Sequence, residues 1–137
     1  MPVEVNYINS DSVVQGNGVE ICLNGVVHGH EILKAKKQIV ESKAFVGVHY
    51  QIIDKSNCTE FNVSAEEILG MTEYDKIIAI INQNFITAII ESRTLKFSLT
   101  RLWQNIVRDF NFNNQSFHDR HSALIWIVKE MELRESP

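Results

Sequence analysis

The sequence predicts an α/β domain on a mixed, mostly parallel sheet of four or five strands, with an N-terminal hairpin and about four helices. Three observations predict it. Strand-like and helix-like stretches alternate along most of the 137 residues. The first two strand-like stretches are instead separated by Gly16-Asn17-Gly18, which is hairpin turn chemistry. Two later strands carry apolar residues on both faces, as strands covered by helices on two sides do.

The elements follow in order. "VEVNYIN" (Val3–Asn9) alternates apolar and polar, and so does "VEICLNGVV" (Val19–Val27). They pair as an antiparallel hairpin, with Val13 and Val14 expected to extend the first strand. In "GHEILKAKKQIVESK" the positions Ile32, Ala35, Ile39, Leu33 and Val40 recur at helical spacing, and the lysines lie opposite. "FVGVHYQIID" (Phe45–Asp54) is β-branched and aromatic, a central strand expected to end at Asp54. A helix opens at Ser64, and "EYDKIIAIIN" either continues it past Gly70 or starts again at Thr72. "FITAIIES" (Phe85–Ser92) is a buried strand. "LKFSLTRLWQNIVRDF" places Leu95, Leu99, Leu102, Ile106 and Phe110 on one helical stripe. A turn and a short strand around Ser116–His118 follow. "RHSALIWIVKEMEL" closes as a helix with Ala123, Leu124, Ile127, Val128 and Met131 facing in. No linker or repeat interrupts this order, so one domain over residues 1–137 is expected.

Composition narrows the function. Hydrophobic residues are 45% and charged residues 22%, ordinary for a globular chain. The net charge of −4, from 13 basic and 17 acidic residues, argues against a nucleic-acid partner. The densest basic run, Lys34 to Lys37, reads as the wet face of a helix. The N-terminus has neither a positive start nor a long apolar stretch, and no run is long enough for a membrane span. A cytoplasmic protein is expected. Its two cysteines, Cys22 and Cys58, are too few for a disulfide scaffold and have no metal-ligand spacing.

The usual catalytic signatures are missing. There is no GxGxxG, GxxxxGK[ST], HExxH, CxxC or GxSxG in the sequence. No cofactor is expected. His28 and His30 share a strand face if the strand runs that far, but they flank Gly29 at a strand-to-helix corner, which suits capping better than metal binding. His49 reads as a core histidine. Trp103 and Trp126 read as core or groove-lining residues. Asp54 lies where an α/β sheet usually places its ligand crevice, and Arg101 is the expected partner for it.

Ser64 carries two readings. "SAEE" is a capping box, in which Ser64 caps the helix and Glu67 reaches back. The same geometry favours a phosphate at a helix N-terminus, although Glu66 and Glu67 would repel its charge. The sequence leaves both open.

The stretch "YQIIDKSNCTEFNVSAEEI" (Tyr50–Ile68) resembles the anti-sigma factor antagonists, the SpoIIAA-like or STAS-like family. There a hairpin precedes a helix, and a strand ends in an Asp-x-Ser-like stretch. A serine about ten residues later, at a helix start, is phosphorylated by a partner kinase. "TAII" (Thr87–Ile90), "LTRLWQNI" (Leu99–Ile106) and "SFHDRHSALIWI" (Ser116–Ile127) resemble a branch of small bacterial SpoIIAA-like proteins grouped with STAS/SEC14-type domains. The family's Asp-Ser-Ser-Gly-Leu-Gly reads Asn62-Val63-Ser64-Ala65-Glu66-Glu67 here. The resemblance implies a non-enzymatic regulatory or binding domain that docks a protein partner or a small apolar ligand. The implied surface is Asp54, Ser56, Ser64, Arg101 and Trp103, with Ser64 as the candidate phosphoacceptor. Ile77, Ile78, Ile80 and Ile81 exceed what one core stripe needs, which suggests a dimer interface or a ligand pocket, and a homodimer is preferred. The alternatives are a SEC14-type carrier of a lipid-like molecule and an enzyme using Asp54.

Overall fold

The computed structural model describes residues 2–82, 84–92, 103–105 and 113–135. Its elements are β1 (Val3–Ile8), β2 (Asn17–His28), α1 (Gly29–Glu41), a 3₁₀ turn (Lys43–Gly47), β3 (Val48–Asn62), α2 (Ala65–Ile81), β4 (Ile86–Ile90), β5 (Asn113–Phe117) and α3 (Arg120–Glu135). Residues 103–105 are helical, and the rest of the predicted Leu95–Phe110 stripe lies outside the described residues.

The strands form one sheet in the order β1-β2-β3-β4-β5. β1 is antiparallel to β2, and every later pairing is parallel. A parallel neighbour requires a crossover, and α1 and α2 supply the first two. Alternation along the strands splits the core into two layers. In front, Val19, Ile21, Leu23 and Ile89 pack against Ile32, Ile39, Ile68, Met71, Ile78 and Trp103. Behind, Tyr50, Ile52, Ile86, Ala88 and Ile90 pack against Ala123 and Ile127 of α3. Each fully buried side chain of this size is worth about 1.5–3 kcal/mol.

The hairpin differs from the expected tight turn. Its last pair is Ile8 with Gly18, so the connection between the strands is long. Asp11 explains the detour: its carboxylate accepts from the backbone N–H groups of Val13 and Val14, each at 2.8 Å. This folds Val14 inward to join the back layer instead of extending β1. The positive φ of 114° falls on Gly16. Gly18 is needed for space, because a Cβ there would lie 2.2 Å from the Tyr50 ring.

Other expectations change as well. Phe45 to Gly47 form part of the 3₁₀ turn, so β3 begins only at Val48. β3 continues past Asp54 to Asn62, and among the described residues its strand pairing after Asp54 is with β2, through Asn24–Asn57 to His28–Asn62. α2 is a single helix through Gly70 and Thr72, which settles the point the sequence left open. His49 is exposed. β5 spans Asn113–Phe117, a strand longer than and shifted from the one expected around Ser116. No helix among the described residues is long and apolar enough to cross a membrane.

Substituting Gly18→Ala is expected to destabilise the fold by about 1–3 kcal/mol through overpacking on Tyr50. Urea denaturation should show a lower midpoint with an unchanged slope.

Candidate functional site

Asp54 sits mid-strand on the back face of the sheet. It is the last residue of β3 paired with β4, opposite Ile90, and it faces Cys22 on β2. One carboxylate oxygen accepts from the Ser56 backbone N–H at 2.9 Å and from the Ser56 hydroxyl at 2.6 Å. The other lies 3.6 Å from the Arg120 guanidinium. The expected Asp–Arg pair therefore exists with Arg120, the first residue of α3; Arg101 lies outside the described residues. Arg120 donates more closely to Glu20, with both nitrogens, at 2.5 and 3.1 Å. That forked pair is the stronger contact, and it fixes the start of α3 over β2.

The side-chain donor atoms of Glu20, Cys22 and Asp54 lie within 4.8 Å of one another. Burial, followed by the charge and hydrogen bond of Glu20, pushes the Cys22 thiol up to about 12. It is therefore a thiol at neutral pH. A cation bound here would have to displace Arg120 from both carboxylates and deprotonate that thiol, so the arrangement works as a tie between helix and sheet.

Ser64 is the N-cap of α2. Its hydroxyl accepts from the Glu67 N–H at 3.1 Å, and Glu67 accepts from the Ser64 N–H at 3.0 Å, closing the predicted capping box. α1 begins next to it, with the His28 N–H donating to Glu31 at 2.9 Å. Gly29 makes the closeness possible: a Cβ there would fall 2.3 Å from the Glu67 carboxylate. Two helix starts, each bearing a reach-back glutamate, thus stand side by side where β2 and β3 end together.

The front face holds a different group of residues. Lys36 and Asp75 are buried, with side chains 3% and 0% exposed, and pair at 2.7 Å. Trp103 donates its indole N–H to the second Asp75 oxygen at 2.5 Å, and the Lys36 ammonium lies 5.8 Å from the centre of the Trp103 ring. Lys36 is thus the exception in a run expected to be wet; Lys34 and Lys37 are exposed. Beneath this cluster lies a pocket with about 40 Å³ of internal space. Its walls are almost wholly apolar and include Ile21, Leu23, Ile53, Phe61, Met71 and Ile89, with Lys36 and Lys55 among them. Lys55 is 6% exposed, and its ammonium is 5.4 Å from the Phe61 ring centre. Burial lowers Lys55 to about 8, against a smaller opposing pull from Glu91.

A solved structure is similar to this chain in fold: an uncharacterised protein of the DUF3478 family from Shewanella loihica PV-4, described as having a SpoIIAA-like fold. It superposes with a TM-score of 0.52 at 16% identity, covering 91% of this chain and 93% of that one. The chain has a SpoIIAA-like fold. No family model matches the sequence, and no curated protein matches it.

Within the SpoIIAA-like fold the expected surface separates into three places. Asp54 and Ser56 belong to the back-face network, Trp103 to the front layer, and Ser64 to the far end of β3. At about 3.3 Å per residue, the strand from Asp54 to Asn62 spans up to about 26 Å. Sequence reasoning missed Lys36, Asp75 and Lys55. Their signals were present: Lys36 continues the buried Ile32–Ile39 stripe, Asp75 lies between the buried Met71 and Ile78, and Lys55 follows Ile53 at period two.

Two variants test these roles. Asp75→Asn leaves the Lys36 ammonium buried without a countercharge and should cost about 3–5 kcal/mol in chemical denaturation. Lys55→Met should do the opposite and stabilise the fold by on the order of 1–3 kcal/mol at pH 7. The sign follows from linkage. Below about pH 8 Lys55 is charged in both states and its burial penalty is fully present. Between about 8 and the ordinary value of 10.5 the folded state sheds its proton first, so wild-type stability rises with pH and the advantage of methionine shrinks. A stability difference independent of pH over that range would contradict this account.

Proposed function

We propose that this SpoIIAA-like domain is a non-enzymatic docking module, and that the outer face of α2 is its partner-binding surface. The observation that carries the reading is the exposure of that face. Leu69, Ile77, Ile80 and Ile81 are 52%, 42%, 77% and 43% exposed, while Ile68, Met71 and Ile78 on the same helix are buried. Exposed Glu66, Glu73 and Lys76 share this face, so it is a mixed apolar and charged surface of the kind that docking interfaces present. Val46, 72% exposed, lies beside this surface, because the Asn82 amide donates to the Phe45 carbonyl at 3.3 Å and holds the end of α2 against the 3₁₀ turn.

A second copy of the chain is the preferred occupant. One self-complementary face serves both partners about a two-fold axis. The exposed isoleucines are not part of the front pocket, which favours an interface over a ligand wall as the reason for their excess. A lipid-sized guest is disfavoured for the same pocket, since about 40 Å³ is far below the roughly 300–1,000 Å³ of a typical small-molecule site. The enzyme alternative gains no support from Asp54, whose carboxylate is engaged by Ser56 and Arg120. Ser64 as a phosphoacceptor remains subordinate to its cap, whose loss would cost about 0.5–2 kcal/mol.

Light scattering after gel filtration tests the interface. The wild type is expected at twice the chain mass, and Ile77→Lys with Ile80→Lys at the single mass, with helical content retained and a thermal midpoint that no longer rises with protein concentration. A wild type that stays monomeric at every concentration would remove self-association. If, in addition, the double variant captured the same proteins as wild type, α2 would be the wrong surface.

A further inference from the structure

We propose that the outer edge of β1 takes an extended, basic segment of a partner protein as an added antiparallel strand, with its alternate apolar side chains seated in the groove between β1 and α1. This is a different surface from the outer face of α2, and it does not rest on the dimer. β1 is the first strand of the sheet and pairs on one side with β2. The Asn24 N–H donates to the Pro2 carbonyl at 2.7 Å, so these two residues are a hydrogen-bonded pair. Such pairs alternate along an antiparallel ladder. Glu4, Asn6 and Ile8 therefore turn their backbone groups toward β2, and Val3, Val5 and Tyr7 turn theirs outward. Among the described residues, no backbone group meets those three from outside.

The usual protections of an exposed edge are missing from β1. It is six residues long, contains no lysine or proline, and runs in unbroken register with β2. A regular edge of this kind is a template for another strand. Beside it runs a groove of about 720 Å³. Val3, Val5 and the buried Ala35 form its apolar part, and the exposed His30, Lys34 and Gln38 of α1 form its outer wall. Val3 and Val5 pack on the front core, so side chains directly across from them point to the same face and enter the groove. Strand addition supplies affinity through main-chain hydrogen bonds, and the pockets beside the edge supply specificity.

Charge selects the segment. Glu4 is exposed and has no ion pair among the described residues. A lysine or arginine directly across from it completes a cross-strand pair. Glu4 and Glu31 outnumber Lys34 along the groove, and the chain as a whole carries −4, which draws a basic segment in. A second copy of β1 is the poorer match, because it brings a chain of the same net charge and its strand holds no cation for Glu4.

The probe is the capped peptide Thr-Val-Thr-Val-Lys-Val-Thr, titrated into the full-length protein and followed by calorimetry and by amide hydrogen exchange. Binding should slow exchange at Val3, Val5 and Tyr7 and leave the already paired Glu4 and Asn6 unchanged. General burial of the strand would not give that period of two. Methylating the backbone nitrogen of the peptide valine that faces Val5 should weaken binding about tenfold. Replacing the peptide lysine by glutamate should weaken it roughly threefold, and Glu4→Lys, at an exposed position, should reverse that preference. Val5→Pro should keep the β1–β2 bonds, since the lost N–H faces outward, and abolish binding. Protection of Val5 and Tyr7 before any peptide is added would mean that a second copy already occupies the edge, and would overturn the proposal. So would no binding at millimolar peptide, undiminished binding of the methylated peptide, or a lysine preference that survives Glu4→Lys. Should Val5→Pro fail to fold, the methylated peptide and Glu4→Lys decide it.

Discussion

The buried carboxylate of Asp75 is the interaction on which the front half of the molecule depends. It is fully shielded from water, and its two oxygens are satisfied from two other elements, Lys36 on α1 and the indole of Trp103. A buried charge of this kind is tolerable only when its partners are in place, so the relative position of α1, α2 and the Trp103 turn is closely constrained. The apolar pocket exists because these three elements are held over the sheet by a polar contact above and isoleucines below. The same contact neutralises Lys36, one of the two lysines in the pocket wall.

The back half is organised by a weaker, wetter device. Arg120 is partly exposed, and its fork on Glu20 joins the first turn of α3 to β2 across 100 residues of chain. Asp54 and Ser56 belong to this network as supports. The sheet separates the two halves, and adjacent residues of β3 serve opposite sides: Ile53 and Lys55 look to the front pocket, Asp54 to the back network. A strand with chemistry on both faces needs covering on both, which α1 and α2 provide in front and α3 behind.

A SpoIIAA-like fold places these features without specifying their use. The candidate docking face of α2 and the front pocket lie on opposite sides of the same helix: Met71 lines the pocket, while Ile77 and Ile80 point to solvent.

The sequence by itself determined the class of fold, the hairpin, the capping box at Ser64 and the inner faces of α1 and α3, because these follow from local periodicity and from hydrogen bonds a few residues apart. It also flagged an excess of isoleucine on α2, without saying which way the surplus faced. Only the tertiary structure decided the rest. Whether Lys36 was wet or buried depended on Asp75, 39 residues away; Arg120, 66 positions on, met Asp54; and Asp54 lay mid-strand because β2 continues beside β3. Desolvation and charge pairing act between elements distant in the chain. A local pattern shows only that a lysine or an aspartate is present, whereas its surroundings are set when the layers close.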